Sequence, residues 1–254
     1  MPHPEILLFF FVIAFVYASV GFGGGSSYLA ILVLYALPFK EMRLIALICN
    51  IIVVTGGTII FIKNGQVNWK KILPLSLVSV PMAFVGATLK LSQDTFFFIL
   101  GCSLILAAVL LWIRTRRSDA ESIASTNTYS FMKDSFIGGA IGFLSGMVGI
   151  GGGIFLSPLL NLLKWDTAKR IAATASIFIL VNSIAGIAGQ LTSLEAGIIN
   201  YKRVILLCIA VFLGGQAGSR MGAIKFDHIV IRRLTAVLVF IAGVEVLRSI
   251  FEST

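Results

Sequence analysis

The sequence predicts an all-α polytopic membrane protein built from two inverted repeats, each a glycine-broken re-entrant helical hairpin plus three transmembrane helices. Three observations predict it: long apolar runs, an internal duplication, and two glycine clusters inside runs already long enough to cross a bilayer. Of the 254 residues, 58% are hydrophobic and 12% are charged, about half the charged share of a soluble domain. Mean hydropathy is +1.01. Polar and apolar residues do not alternate with period two, which argues against a β-barrel and for helices.

The first run, 4–36, is too long for one crossing and contains GFGGG at 21–25. A helix over 5–20 would be about 24 Å long. The break at Gly21, Gly23, Gly24 and Gly25 therefore falls inside the membrane, although each interior glycine costs about 1 kcal/mol relative to alanine. Ser26 and Ser27 are expected to N-cap a second short helix ending near Leu37–Pro38. Runs 44–62, 72–89 and 95–113 each approach the roughly 20 apolar residues that one crossing needs. A polar linker, RTRRSDAESIASTNTYS at 114–130, divides a first repeat (1–113) from a second (131–254). The run 135–163 copies the first, with Gly149, Gly151, Gly152 and Gly153 in GIGGG and a short helix starting near Ile154 that passes Ser157 and Pro158. Runs 171–190, 204–220 and 229–250 complete the second repeat.

The duplication is explicit elsewhere. GQVNWKKILPLSLVSVPMAFVGATL (65–89) aligns without gaps to GIINYKRVILLCIAVFLGGQAGSRM (197–221), which pairs Lys71 with Arg203 and Gly86 with Gly218. Arg43 and Arg170 open the second element of each half. Charge then sets topology, because cytoplasmic loops collect Lys and Arg. Eight full spans in parallel repeats, the alternative arrangement, would put ten of the twenty basic residues on each face. If each glycine-broken segment instead leaves by the face it entered, six lie on one face (Lys40, Arg43, Lys90, Lys202, Arg203, Arg248) and fourteen on the other. Only that arrangement obeys the rule. Three crossings per half invert the second repeat and put both termini outside.

Non-helical backbone survives in a membrane only where it is buried in protein or lines a cavity. Two helix amino ends and two glycine turns meeting near the midplane would offer N–H groups to an anion. The candidate ligands are Gly21, Gly23, Gly24, Gly25, Ser26, Ser27, Gly149, Gly151, Gly152 and Gly153. Asn50, Thr55, Thr58, Thr174, Ser176, Asn182 and Ser183 are neutral side-chain candidates; Asn50, Thr55, Thr174, Ser176 and Asn182 are preferred among them. Tight helix packing is the alternative use of the glycines. No acidic or basic residue occupies the central part of a span, where a cation carrier or proton pump places a carboxylate. Arg43 and Arg170 are placed at membrane edges as vestibule residues, with topology and capping as their other role.

Other classes fit poorly. The net charge of +9 resides in short loops, which suits topology and not nucleic acid. No Lys-Ser/Thr follows either glycine run, so a nucleotide P-loop is not indicated. Cys49, Cys102 and Cys208 match no metal or redox spacing, and His3 and His228 lie at segment edges. No metal, cofactor or catalytic residue is expected, and the chain reads as no enzyme.

GFGGG, GIGGG followed by Ser157-Pro158, the RIAATAS run at 170–176 and the duplicated spans resemble the TauE/SafE, or sulfite exporter, family of bacterial membrane proteins, over almost the whole chain. The resemblance implies a multi-pass protein of the bacterial inner membrane moving a small sulfur-containing anion such as sulfite, sulfoacetate or a related organosulfonate. Its partners would be that anion and the lipid bilayer, not nucleic acid, with a homodimer left open. A passive anion channel is the alternative function. Ser26-Ser27 stand where Ile154-Phe155 do, and Pro158 has no counterpart, so the site is expected to be asymmetric.

Overall fold

The computed structural model describes residues 4–19, 22–35, 37–116, 130–192, 200–222, 236–237, 239–241, 243–244 and 246–248. All the regular structure among them is helical: α1 (Glu5–Ala18), α2 (Gly25–Leu34), α3 (Phe39–Lys63), α4 (Trp69–Thr88), α5 (Gln93–Arg116), α6 (Phe131–Val148), α7 (Gly153–Leu162), α8 (Ala168–Leu191) and α9 (Tyr201–Gly222). The last expected run, 229–250, is described only at scattered helical positions. Among the described residues five helices, α3, α4, α5, α8 and α9, are long and apolar enough to cross a membrane.

Both glycine-interrupted runs are hairpins. α1 ends at Ala18, and α2 starts after Gly24, whose φ of 87° only glycine adopts readily. α2 then doubles back along α1. Near the turn the Tyr17 hydroxyl lies 2.7 Å from Ser27 Oγ, and midway the Phe10 and Tyr28 rings stack with centroids 4.7 Å apart. At the open end Tyr35 donates to Glu5 Oε1 at 3.5 Å. α6 and α7 repeat the arrangement. Gly152, at the position matching Gly24, also caps its short helix in the left-handed region, with φ 78°. Trp165, just past α7, donates its indole N–H to Asp134 in the first turn of α6 at 2.9 Å.

Several boundaries differ from the sequence expectation. Gly24, not Ser26 or Ser27, is the N-cap of α2; both serines lie inside its first turn and no side chain caps it. α2 stops at Leu34, and Pro38 caps α3 instead. α3, α4 and α9 begin several residues before their apolar runs, because charged first turns (Lys40, Glu41, Arg43; Lys70, Lys71; Lys202, Arg203) are helical too. Hydropathy marks the apolar stretch of a helix and not its hydrogen-bonded ends.

The halves interlock. α6 packs along α4, α1 along α9, and α3 against α8. Gly138, Gly142 and Gly146 turn one face of α6 to α4, where a Cβ would collide with the carbonyls of Leu75, Ser79 and Ala83. Gly214 and Gly218 bring α9 equally close to the carbonyls of Phe11 and Phe15 in α1. Gly86 meets Phe143 O as Gly218 meets Phe15 O, and both phenylalanines stand six residues before their glycine run. One contact is thus made twice, with the halves exchanged.

The same exchange relates two ion pairs. Arg203, at the start of α9, holds Glu41 at the start of α3 (Nη1–Oε2 3.1 Å), and the Asn200 N–H also donates to that carboxylate at 3.4 Å. Lys71, at the start of α4, holds Asp166 just before α8 (Nζ–Oδ2 3.1 Å) and donates to the Trp165 carbonyl at 2.6 Å. Arg170 reaches Asp166 at 3.7 Å. Both carboxylates are buried. Lys71 and Arg203 are the residues that the duplication pairs.

Candidate functional site

The two hairpin turns meet, and Asn50 of α3 sits between them, fully buried. Its Nδ2 donates to the carbonyl of Ile150, inside the second break, at 2.8 Å. The same amide lies against Gly23 and Gly25 of the first break: a Cβ on Gly23 would collide with Asn50 Oδ1, and one on Gly25 would stand 2.5 Å from Nδ2 and 2.7 Å from Ile150 O. On the other side, Nδ2 is 2.8 Å and Ser183 Oγ 2.9 Å from where a Cβ of Gly151 would be. Glycine is required here for close approach as well as for backbone conformation.

A small cavity opens at this junction, lined by Gly23, Gly24, Gly25, Ser26, Asn50, Ile150, Gly153 and neighbouring apolar side chains. The volume open to the centre of a water molecule is about 20 Å³, room for about one water. The N–H groups of Gly25, Ser26 and Ser27 head α2, and none finds an acceptor among the described residues. Those of Gly153 and Ile154 head α7 in the same way. Asn50 Oδ1 and Ser183 Oγ are buried without a hydrogen-bond partner among the described residues. The site therefore presents unused donors from two helix amino ends and an unused amide acceptor.

The sequence-derived candidates separate. Gly23, Gly24, Gly25, Ser26, Asn50 and Gly153 line the cavity; Gly151 packs behind Asn50 and Gly152 against Phe178. Gly149, with φ 82°, closes α6. Ser27 is engaged with Tyr17. Gly21 lies outside the described residues. Thr55 and Thr174 bond carbonyls of their own helices, Ile51 at 2.5 Å and Arg170 at 2.8 Å, as hydroxyls in membrane helices commonly do. Ser176 Oγ faces α3, 4.0 Å from where a Cβ of Gly57 would be. Asn182 ties α8 to α4, donating to Ser79 Oγ at 3.0 Å and to Phe178 O at 2.8 Å.

Arg43, placed at a membrane edge by the sequence, is buried inside the protein. It is 5% exposed, and Nη2 donates to the Gly146 carbonyl at 2.9 Å while the guanidinium lies 5.8 Å from the Phe96 ring centre. It caps the carboxyl end of α6, whose last carbonyls have no helical partner. Arg170 does face outward, beside Asp166. Composition missed Ile150 and Ile179, which act through a carbonyl and through shape. Ser183, one of the neutral candidates but not among the preferred ones, stands one helical turn beyond Ile179 and meets the second break at Gly151.

A family model described as Sulfite exporter TauE/SafE matches residues 6–246. The probable membrane transporter protein y4hK of Sinorhizobium fredii is 32% identical over 238 residues, covering 94% of this chain and 95% of that protein. YunE of Bacillus subtilis, also named a probable membrane transporter protein, is 24% identical, covering 80% of each chain. MJ0441 of Methanocaldococcus jannaschii, named likewise, is 25% identical, covering 83% of this chain and 80% of its own. No solved structure matches the chain.

Proposed function

The chain belongs to the TauE/SafE sulfite exporter family and is a multi-pass membrane transporter; from that premise we propose that it carries a small sulfur-containing oxyanion bound where its two broken hairpins meet. The observation that carries this reading is the convergence on Asn50 of two helix amino ends whose N–H groups are unused. Such N–H groups, with the positive ends of the helix dipoles, suit negative charge. Neutral donors bind an anion without holding it as a buried arginine would. Proteoliposomes loaded with sulfite, sulfoacetate, sulfate or thiosulfate are expected to release at least one of them faster than protein-free liposomes. Retention of all four at the protein-free rate rejects the reading.

The repeats are inverted in this proposal, so that the two hairpins open to opposite faces. Support comes from the ion pairs: the first hairpin's base adjoins the start of α9, and the second's adjoins the start of α4, at the far end of α3. A cysteine replacing Lys202 is then expected to react with an impermeant maleimide added outside cells, and reaction only from the cytoplasm defeats the arrangement.

Inverted repeats give a carrier two equivalent states. A cavity with room for about one water must widen to admit an oxyanion of several heavy atoms, and the matched ion pairs tie the elements that would have to part. Glu41→Gln is expected to raise labelling of a cysteine at Ser26 from one face several-fold, and Asp166→Asn from the opposite face. Labelling from both faces at once in the unmodified protein would instead identify a channel.

A further inference from the structure

Asn50 has two hydrogen-bonding ends, and only one is matched. The Ile150 carbonyl can only accept, so the 2.8 Å contact fixes the amide nitrogen toward it and leaves Oδ1 facing Gly23 and Gly25. The amide orientation is thus set by chemistry, not by choice of label. Oδ1 is buried and has no donor, a condition that native proteins seldom leave standing. The donors nearby are the N–H groups at the head of α2, which have no acceptor among the described residues, and the unpartnered Ser183 hydroxyl on the Nδ2 side of the amide.

An oxyanion entering this junction meets donors on one side and an acceptor on the other. Charged oxygens satisfy the N–H groups, but an unprotonated oxygen beside Oδ1 sets two acceptors against each other. A hydroxyl on the same anion removes the conflict by donating to Oδ1. Among the described residues the cavity lining holds no carboxyl, amine or imidazole: it consists of glycines, Ser26, Asn50, Tyr17 and apolar side chains. The proton must arrive on the ligand. We propose, building on the transport reading above, that the site selects a singly protonated oxyanion, with Asn50 as the residue that recognises its O–H. Hydrogensulfite belongs to this class; sulfonates, whose SO₃ group carries no proton near neutrality, do not.

The test uses the full chain in proteoliposomes at equal pH on both sides, with sulfite as probe across the pH range of its second ionisation. Above that ionisation, KM for total sulfite is expected to rise about tenfold per pH unit and to stay constant when expressed as the monoanion. Methanesulfonate, similar in charge and shape but without an O–H, is expected not to compete. In Asn50→Leu the discrimination should vanish, so that methanesulfonate competes within a few-fold of sulfite. If that variant does not fold, the wild-type pH series and the competition still decide. A KM flat in total sulfite, flux following the dianion, equal competition by methanesulfonate, or a sodium requirement that assigns Oδ1 to a cation overturns the proposal. No flux of any anion at any pH would count against the transport reading itself.

Discussion

Gly25→Leu is expected to abolish anion flux in proteoliposomes while monodisperse protein is still recovered from membranes. Gly25 is the first residue of α2 and not among the positive-φ glycines, so leucine suits the helix locally. The obstacle is at the junction, where even a Cβ would stand 2.7 Å from the Ile150 carbonyl and 2.5 Å from Asn50 Nδ2. Separating the breaks dissolves the cavity. Gly24→Leu and Gly152→Leu add backbone strain, at φ 87° and 78°, of about 1–2 kcal/mol each, and they should be at least as damaging. Flux at the wild-type rate in Gly25→Leu would place the substrate path elsewhere.

Gly146→Leu should have the largest effect on the fold. A Cβ there collides with the Ala83 carbonyl, and the stripe of Gly138, Gly142 and Gly146 brings α6 against the backbone of α4. Backbone cannot rotate away as a side chain can, so overpacking should cost about 3 kcal/mol or more. Gly218→Leu, against Phe15 O, should do the same to α9 on α1, because it is the matching contact. The expected result is a fall in thermal unfolding temperature or loss of the monodisperse peak. Gly65→Asn is the control: φ is +64° but nothing lies within 4 Å of its Cβ position, and asparagine tolerates that conformation. Gly146→Leu as stable as Gly65→Asn would refute the packing account.

These two expectations show how differently the glycines could be read from the sequence. The GxGGG runs stood out because four glycines in five positions interrupt an apolar run, a local pattern with a local consequence. The α6 stripe carries a different mark, glycine at every fourth position (138, 142 and 146) in an unbroken helix, and that spacing does not say which helix faces it. Lys71 and Arg203 could be paired by alignment, but their carboxylates could not be named, because Glu41 and Asp166 come from different positions in the two halves. Arg43 and Arg170 look equivalent in sequence, yet one caps α6 inside the protein and the other faces outward. Thr55 and Thr174 looked available, but a hydroxyl in a membrane helix can bond its own preceding turn, which composition cannot reveal.

The amino-acid sequence by itself determined the helical membrane class, the duplication and the two broken segments, because periodicity, hydropathy and glycine conformational freedom act within one stretch of chain. The tertiary structure alone decided that the breaks touch, that Asn50 bridges them, and which glycines serve packing. Each of those depends on a carbonyl or an amide contributed by a segment distant in the chain, a hundred residues away for Asn50 and Ile150, and main-chain groups are the same in every sequence until the fold gives them neighbours.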